Sequence, residues 1–368
     1  MIPRQLSNAL RRVLDVPLRL RLAAAHSEIR RCGGSEPVLG FGGVLDGPGL
    51  IHGGAVKLLL LREAFRHDDK TFNILYLVSS AQPRFPEDLA RLCRSPGIKF
   101  VWNQNGVGYP AWAGPDAEKH NDPMRKLRAA ADFVVYQSEF CRQSAEKFLG
   151  PCPVRSEILF NPVDLEKFSP RTEHLPQNPL RLLAMGTQNY RERVFSALDC
   201  LRVLRQKGTD CLLTVAGPLI WKNAENDVRK SVESMELAAF VEFLPSFRQD
   251  EAPGIYRAHH ILVHPKYMDP CPTVVAEALA CGLPIVAPRS GGIPEMTDSA
   301  CAVLIDVPIS WERLHTPSGR QLADAVRQLA GDLSTASRAA RQRAETAFDG
   351  RVWRGQHARI FRDLLAAS

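Results

Sequence analysis

Two acids, Asp269 and Glu277, stand eight residues apart in the run HPKYMDPCPTVVAEALACGLPIVAPRSGGIPE, which spans residues 264–295. Carboxylates in a cleft can accept hydrogen bonds from sugar hydroxyls. The surrounding residues say where the cleft would be. An apolar run at 261–264 has the length of a buried strand, and Pro270 and Pro272 stop it. Thr273 stands where a helix cap belongs, ahead of VVAEALA, and Gly282 where that helix ends. A second apolar run at 283–287 predicts the next strand, and Gly291 and Gly292 follow it. Strand, helix and strand gather these polar groups at the rim where an open parallel sheet binds ligands. A helix start offers unpaired N–H groups and partial positive charge to an anion. Glu277, four residues after Thr273, shares its face and is placed for a ribose; Asp269 is placed for a second sugar ring. The glycine pair admits a ligand close to the backbone.

Other loops repeat the pattern. A strand over 37–45 leads into the glycine-rich loop 47–54 and then the helical AVKLLLLREAF, bringing Gly53 and Gly54 to a helix start. The loop lacks GxGxxG, so a dinucleotide fingerprint is not met. The polar segment 103–110 ends another strand and carries Asn105, able to bond hydroxyls but not to titrate. LRLLAMG at 180–186 precedes Arg191 and Arg193, either of which can grip phosphate oxygens with two parallel bonds; spacing does not choose between them. His259, His260 and His264 lack the HExxH arrangement and are expected to be structural, so no metal site is expected.

The stretch 269–295 resembles the signature of family-four glycosyltransferases: an acid, seven residues, Glu, then ALAxGxPIVA and GGxxE. The first acid is usually Glu there, and Cys271 with Pro272 replaces a common Phe-Gly. The resemblance extends over 37–365, including ILFNPVDLEKFSP at 158–170. It implies the GT-B architecture, two doubly wound Rossmann-like α/β domains facing across a cleft, with a last helix returning to the first domain. It implies retaining transfer of a sugar from a nucleotide-diphosphate donor to a glycan or lipid-linked acceptor, without metal or other cofactor, in cell-surface polysaccharide or glycolipid synthesis.

By the same resemblance Asp269 and Glu277 are the catalytic acids. Arg191, Arg193, Thr273, Gly53 and Gly54 line the diphosphate. Asn105 stands where a histidine is usual, beside Cys271 and Pro272 in the donor-sugar and acceptor cleft, and Leu244 and Phe247 belong to the segment that meets the base. Thr187 departs from the arginine usual after Gly186. An inactive GT-B nucleotide-binding scaffold and a sugar-nucleotide epimerase stay open as alternatives.

Length and charge agree. A chain of 368 residues exceeds what one core sustains. The proline-rich polar run at 169–179 marks a break, giving a first domain at 37–170, a linker at 171–179, a second domain at 180–345 and a terminal helix at 346–368. Of the net +7, residues 1–31 hold seven arginines against Asp15 and Glu28. The body is therefore nearly neutral, which argues against a nucleic-acid groove. The basic extension 1–36 carries Leu6, Leu10, Val13 and Leu14 at helical spacing, suited to an anionic membrane surface or to packing on the body. No apolar run is long enough to span a membrane, and nine scattered cysteines argue for free thiols, so a cytoplasmic protein, at most peripheral on the membrane's inner face, is expected.

Overall fold

The computed structural model describes residues 28–45, 53–173 and 175–367. The amphipathic stretch and most of the first glycine loop lie outside these.

Each domain is built on a six-stranded, all-parallel sheet. In the first, the order is Arg66–His67, Val38–Gly40, Ile74–Val78, Lys99–Gln104, Phe133–Tyr136, Ser156–Ile158. In the second it is Val241–Leu244, Cys211–Ala216, Leu180–Met185, Ile261–Val263, Ile285–Pro288, Ala302–Ile305. Helices cover both faces, so the central strands are unbroken apolar runs: every residue of Ile74–Val78 and Phe133–Tyr136 is buried. Numbered along the chain, the second sheet runs 3-2-1-4-5-6, the doubly wound order whose direction reverses between Leu180–Met185 and Ile261–Val263. That reversal opens a crevice at the strands' carboxyl ends. In the first sheet the reversal falls between Val38–Gly40 and Ile74–Val78.

The terminal helix Gly350–Ala366 returns to the first domain, where Trp353, Ile360 and Phe361 pack with Leu39, Tyr76 and Val135. It follows Leu333–Ala347 after a break at Phe348 and Asp349.

Several expectations are corrected. The first domain begins before residue 37: Arg30–Arg31 pairs with Thr71–Phe72, and Ile29 joins the core. The strand expected over 37–45 ends at Gly40, because the N–H groups of Phe41, Gly42 and Gly43 turn onto the Asp69 carboxylate. Gly42 and Gly43 take φ of +69° and +75° there, which glycine accommodates at no steric cost. Gly53 and Gly54 are helical, the first turn of Gly53–Ala64, not loop. The helix over 273–280 is capped by Pro272, with Thr273 its first helical residue. Gly282 ends it as expected: at φ +76° it donates to Leu279 O while Leu283 N reaches Ala278 O at 2.8 Å.

Candidate active site in the interdomain cleft

At the second domain's switch point the strand Leu180–Met185 ends in Gly186, and the helix Arg191–Gln206 starts a few residues later. Arg191 and Arg193, two apart, fall on different faces of that helix. Arg191 is exposed, its guanidinium 5.2 Å from the Phe195 ring centroid. Arg193 turns inward, is 8% exposed, and donates to Thr187 O at 3.0 Å. Its Nε has no partner among the described residues. Of the two arginines, Arg193 lines the cavity between the domains and Arg191 does not.

From the adjacent strand come His264, Lys266 and Asp269. The Asp269 carboxylate accepts from His264 Nε2 at 3.1 Å and lies 3.0 Å from Lys266 Nζ. Burial alone would push this carboxyl up, but Lys266 and the His264 bond outweigh it and hold it well below the usual carboxylate range. His264, buried, is pushed down to about 4 and stays neutral. Asp269 thus stands behind Lys266 and orients it.

Glu277 faces away from this triad. It accepts from Tyr256 Oη at 2.8 Å and Gln249 Nε2 at 3.1 Å, and burial raises its carboxyl to about 7 despite both bonds. Leu244 and Phe247 pack against the cluster that holds Tyr256. The Leu244 carbonyl is taken by Gly217 N at 2.7 Å.

The first domain contributes mostly neutral amides. Lys57 Nζ, on a helix that is otherwise apolar over 55–61, is 3% exposed and held by Asn103 Oδ1, Asn105 Oδ1 and Gln137 Oε1 at 2.9–3.1 Å. Burial lowers its pKa to about 8. Asn103 continues to Tyr76 Oη, and Tyr76 to His357 of the terminal helix. Asn105 is thus committed to Lys57 and, through Nδ2, to Ser80 Oγ.

Between the domains lies a cavity of about 240 Å³. Tyr109, Trp112 and Phe140 form its wall in the first domain; Arg193, Lys266 and Pro270 face them from the second, with the exposed Glu192 at the edge. Of the predicted site residues, Arg193 reaches this wall directly, and Asp269 reaches it through Lys266. Thr273 is half-buried in the first helical turn. Cys271 and Pro272 are buried, and the Cys271 carbonyl accepts from Asn161 Nδ2 of the first domain. Gly54 packs on the turn after Ile74–Val78: a Cβ there would meet Ser80 Oγ at 2.5 Å. The Gly291 and Gly292 pair also serves close packing rather than ligand approach, since added Cβ atoms would lie 2.4 Å from Asp269 O and 2.0 Å from Pro270 O.

Sequence reasoning missed Lys57, Lys266 and Tyr109. A lysine in an apolar helix just after a glycine pair was a visible signal for the first. Lys266 lay inside the quoted motif, three residues before Asp269. Nothing in the pattern distinguished Tyr109. Among the described residues no group of three or more His, Cys, Asp or Glu side chains could hold a metal ion, and no helix is long and apolar enough to cross a membrane.

Two parallel-sheet domains closed by a returning helix are the GT-B fold, and the chain has that fold. Residues 166–338 match the model of the family described as glycosyl transferases group 1. The chain is 28% identical over 200 residues to D-inositol 3-phosphate glycosyltransferase of Salinispora tropica, covering 48% of this chain and 40% of that protein. It is 23% identical over 239 residues to the phosphatidylinositol N-acetylglucosaminyltransferase gpi3 subunit of Schizosaccharomyces pombe, covering 65% and 49%. The chain therefore spans half or less of the length of these curated relatives. Among solved structures, Anabaena HepE in complex with UDP superposes with a TM-score of 0.67 at 16% identity, covering 84% of this chain and 90% of that one. Sucrose-phosphate synthase from Thermosynechococcus elongatus gives 0.65 at 17% identity, covering 81% and 75%. At these identities the structural likeness speaks for the fold.

Proposed function

We propose that the chain transfers a sugar from a nucleotide-diphosphate donor to an acceptor hydroxyl with retention of configuration, without a metal ion. One observation carries the reading: Arg193 lines the cavity at the switch point, buried and with an Nε–H that no group among the described residues satisfies. Buried donors are ordinarily paired, and a diphosphate oxygen at the cavity wall supplies the missing acceptor. Lys266, aimed by Asp269, and the first turn of Thr273–Ala280 take further phosphate charge.

In the reaction the bond from the anomeric carbon to the diphosphate breaks while charge builds on the departing oxygens. Arg193 and Lys266 stabilise that charge. The acceptor oxygen bonds the anomeric carbon on the face the phosphate leaves, and its proton passes to the departing phosphate. Glu277, with Gln249 beside it, receives the ribose hydroxyls, and the 244–247 segment the base. The phosphatidylinositol N-acetylglucosaminyltransferase subunit named above supports a lipid-linked acceptor, and a 26% identical relative over 144 residues, the putative colanic acid biosynthesis glycosyltransferase WcaL of Escherichia coli, supports a glycan acceptor in polysaccharide synthesis. The basic stretch over 1–31 is a candidate contact with an anionic membrane surface, where the chain would work from the cytoplasmic side.

Calorimetric titration of UDP, GDP, ADP and their sugar conjugates, with EDTA present, tests this. UDP comes first, being the nucleotide in the HepE structure. One nucleotide should bind, unaffected by EDTA, and Glu277→Ala should weaken it by about 1–3 kcal/mol, roughly five- to two-hundred-fold. If no nucleotide binds, the chain is an inactive scaffold and the reading is wrong.

A further inference from the structure

The last acid of the recognised stretch, Glu295, takes no part in the site as described. It sits half-buried in the short helix Ile293–Met296 of the second domain, with its side chain across the cleft. One carboxylate oxygen accepts from Glu139 N at 2.6 Å and the other from Phe140 N at 2.8 Å. These are the first two N–H groups of Glu139–Leu149, a helix of the first domain. The next, Cys141 N, goes to Ser138 Oγ, and Arg142 N to Ser138 O. A helix start leaves four N–H groups without intrahelical partners; here the other domain satisfies two of them, with a charge suited to that end of the helix dipole. The Glu139 side chain turns away to Arg142 and Gln143, so it does not compete for the site.

Two more bonds cross at the same place. Ser138 Oγ donates to Pro270 O at 2.7 Å, and Asn161 Nδ2 to Cys271 O at 2.7 Å. Behind Glu295, Arg343 donates to the carbonyls of Glu295 and Met296, fixing the backbone that carries the carboxylate. The two cavity walls meet here: Phe140, held through its N–H by Glu295, and Pro270, held through its carbonyl by Ser138. The Phe140 ring in turn stacks on Trp311 of the second domain at 5.4 Å.

We propose that Glu295 is a positioning residue that fastens the second domain to the first turn of Glu139–Leu149 and so sets the spacing between the Phe140 and Pro270 walls of the cavity. It touches no reacting atom. Its effect reaches the chemistry through Phe140 and Pro270, and for turnover this rests on the glycosyl-transfer reading.

Hydrogen exchange at the Glu139 and Phe140 amides is the direct test. First-turn amides without side-chain acceptors exchange freely, so marked protection of both in the unliganded wild type is expected, and free exchange there would overturn the proposal before any variant is made. Glu295→Gln keeps the shape but offers one acceptor oxygen and no charge. It should speed exchange at both amides by about ten- to a hundredfold, the loss of a bond to a charged group, and Glu295→Asp by less. UDP affinity should change less than threefold, because Glu295 is off the cavity wall, while release of UDP from UDP-glucose slows at least tenfold. Unchanged exchange in Glu295→Gln, or a loss confined to UDP affinity, refutes the positioning role. If the wild type turns over no nucleotide sugar, the glycosyl-transfer reading fails, and exchange still judges the fastening.

Discussion

The two walls of the cleft are built from different chemistry. The second domain presents charges: Arg193, and Lys266 against Asp269. The first lines the cavity with the rings of Tyr109, Trp112 and Phe140, while its amides Asn103, Asn105 and Gln137 gather around one buried ammonium away from that lining. A wall of fixed charge suits an anionic ligand whose charge grows during reaction. A wall of rings suits sugar faces. The family match, residues 166–338, covers the charged wall and leaves the aromatic wall of the first domain outside it.

The difference can be broken most forcefully at Lys57. Lys57→Met strands three amide oxygens, those of Asn103 and Gln137 on buried residues, and should lower unfolding stability by about 3 kcal/mol in chemical denaturation. The wild type carries its own control. Because burial lowers the Lys57 pKa to about 8 from 10.5, the unfolded chain binds more protons between those values, so stability contributed by this group should rise with pH across that window. Lys57→Met should lose that rise.

On the charged wall, Arg193→Gln should cost about 2 kcal/mol in nucleotide affinity, near thirtyfold by calorimetry. Arg191→Ala, two residues away and stacked on Phe195, should change it less than twofold. Equal effects at both positions would erase the geometric choice between them.

Glu277 gives the most specific signal. Its carboxyl is raised to about 7 from 4.5, so the folded chain binds more protons across that range, and stability falls as pH rises through it. Glu277→Gln should flatten this dependence, whose slope is at most about 1.4 kcal/mol per pH unit. Denaturation midpoints at pH 5 and pH 8 in wild type and variant suffice to see it.

Much of the fold was legible because it rests on local signals. The strands 180–185, 211–216 and 133–136 are apolar runs that only a sheet covered on both faces explains. The stop at Gly282 followed from a left-handed backbone that glycine takes without penalty. The cap was misassigned to Thr273 because a hydroxyl one residue inside a helix looks, in sequence, like one at its edge. Gly291 and Gly292 were read as making room for a ligand, yet the backbone they admit belongs to Asp269 and Pro270; composition cannot tell which chain comes close.

The sequence by itself determined two doubly wound domains, the identity of the switch-point loops and the acids they carry, since periodicity, turn residues and motif spacing act over a few residues. The tertiary structure alone decided that Arg193 rather than Arg191 lines the cleft and that Asp269 pairs with Lys266 instead of lining it. It also decided that Lys57 finds its partners 46, 48 and 80 residues away, and that Glu295 ends on a helix 155 residues distant. Each of those outcomes depends on which buried donor finds an acceptor once the sheets have stacked, and desolvation settles that only after the chain has closed on itself.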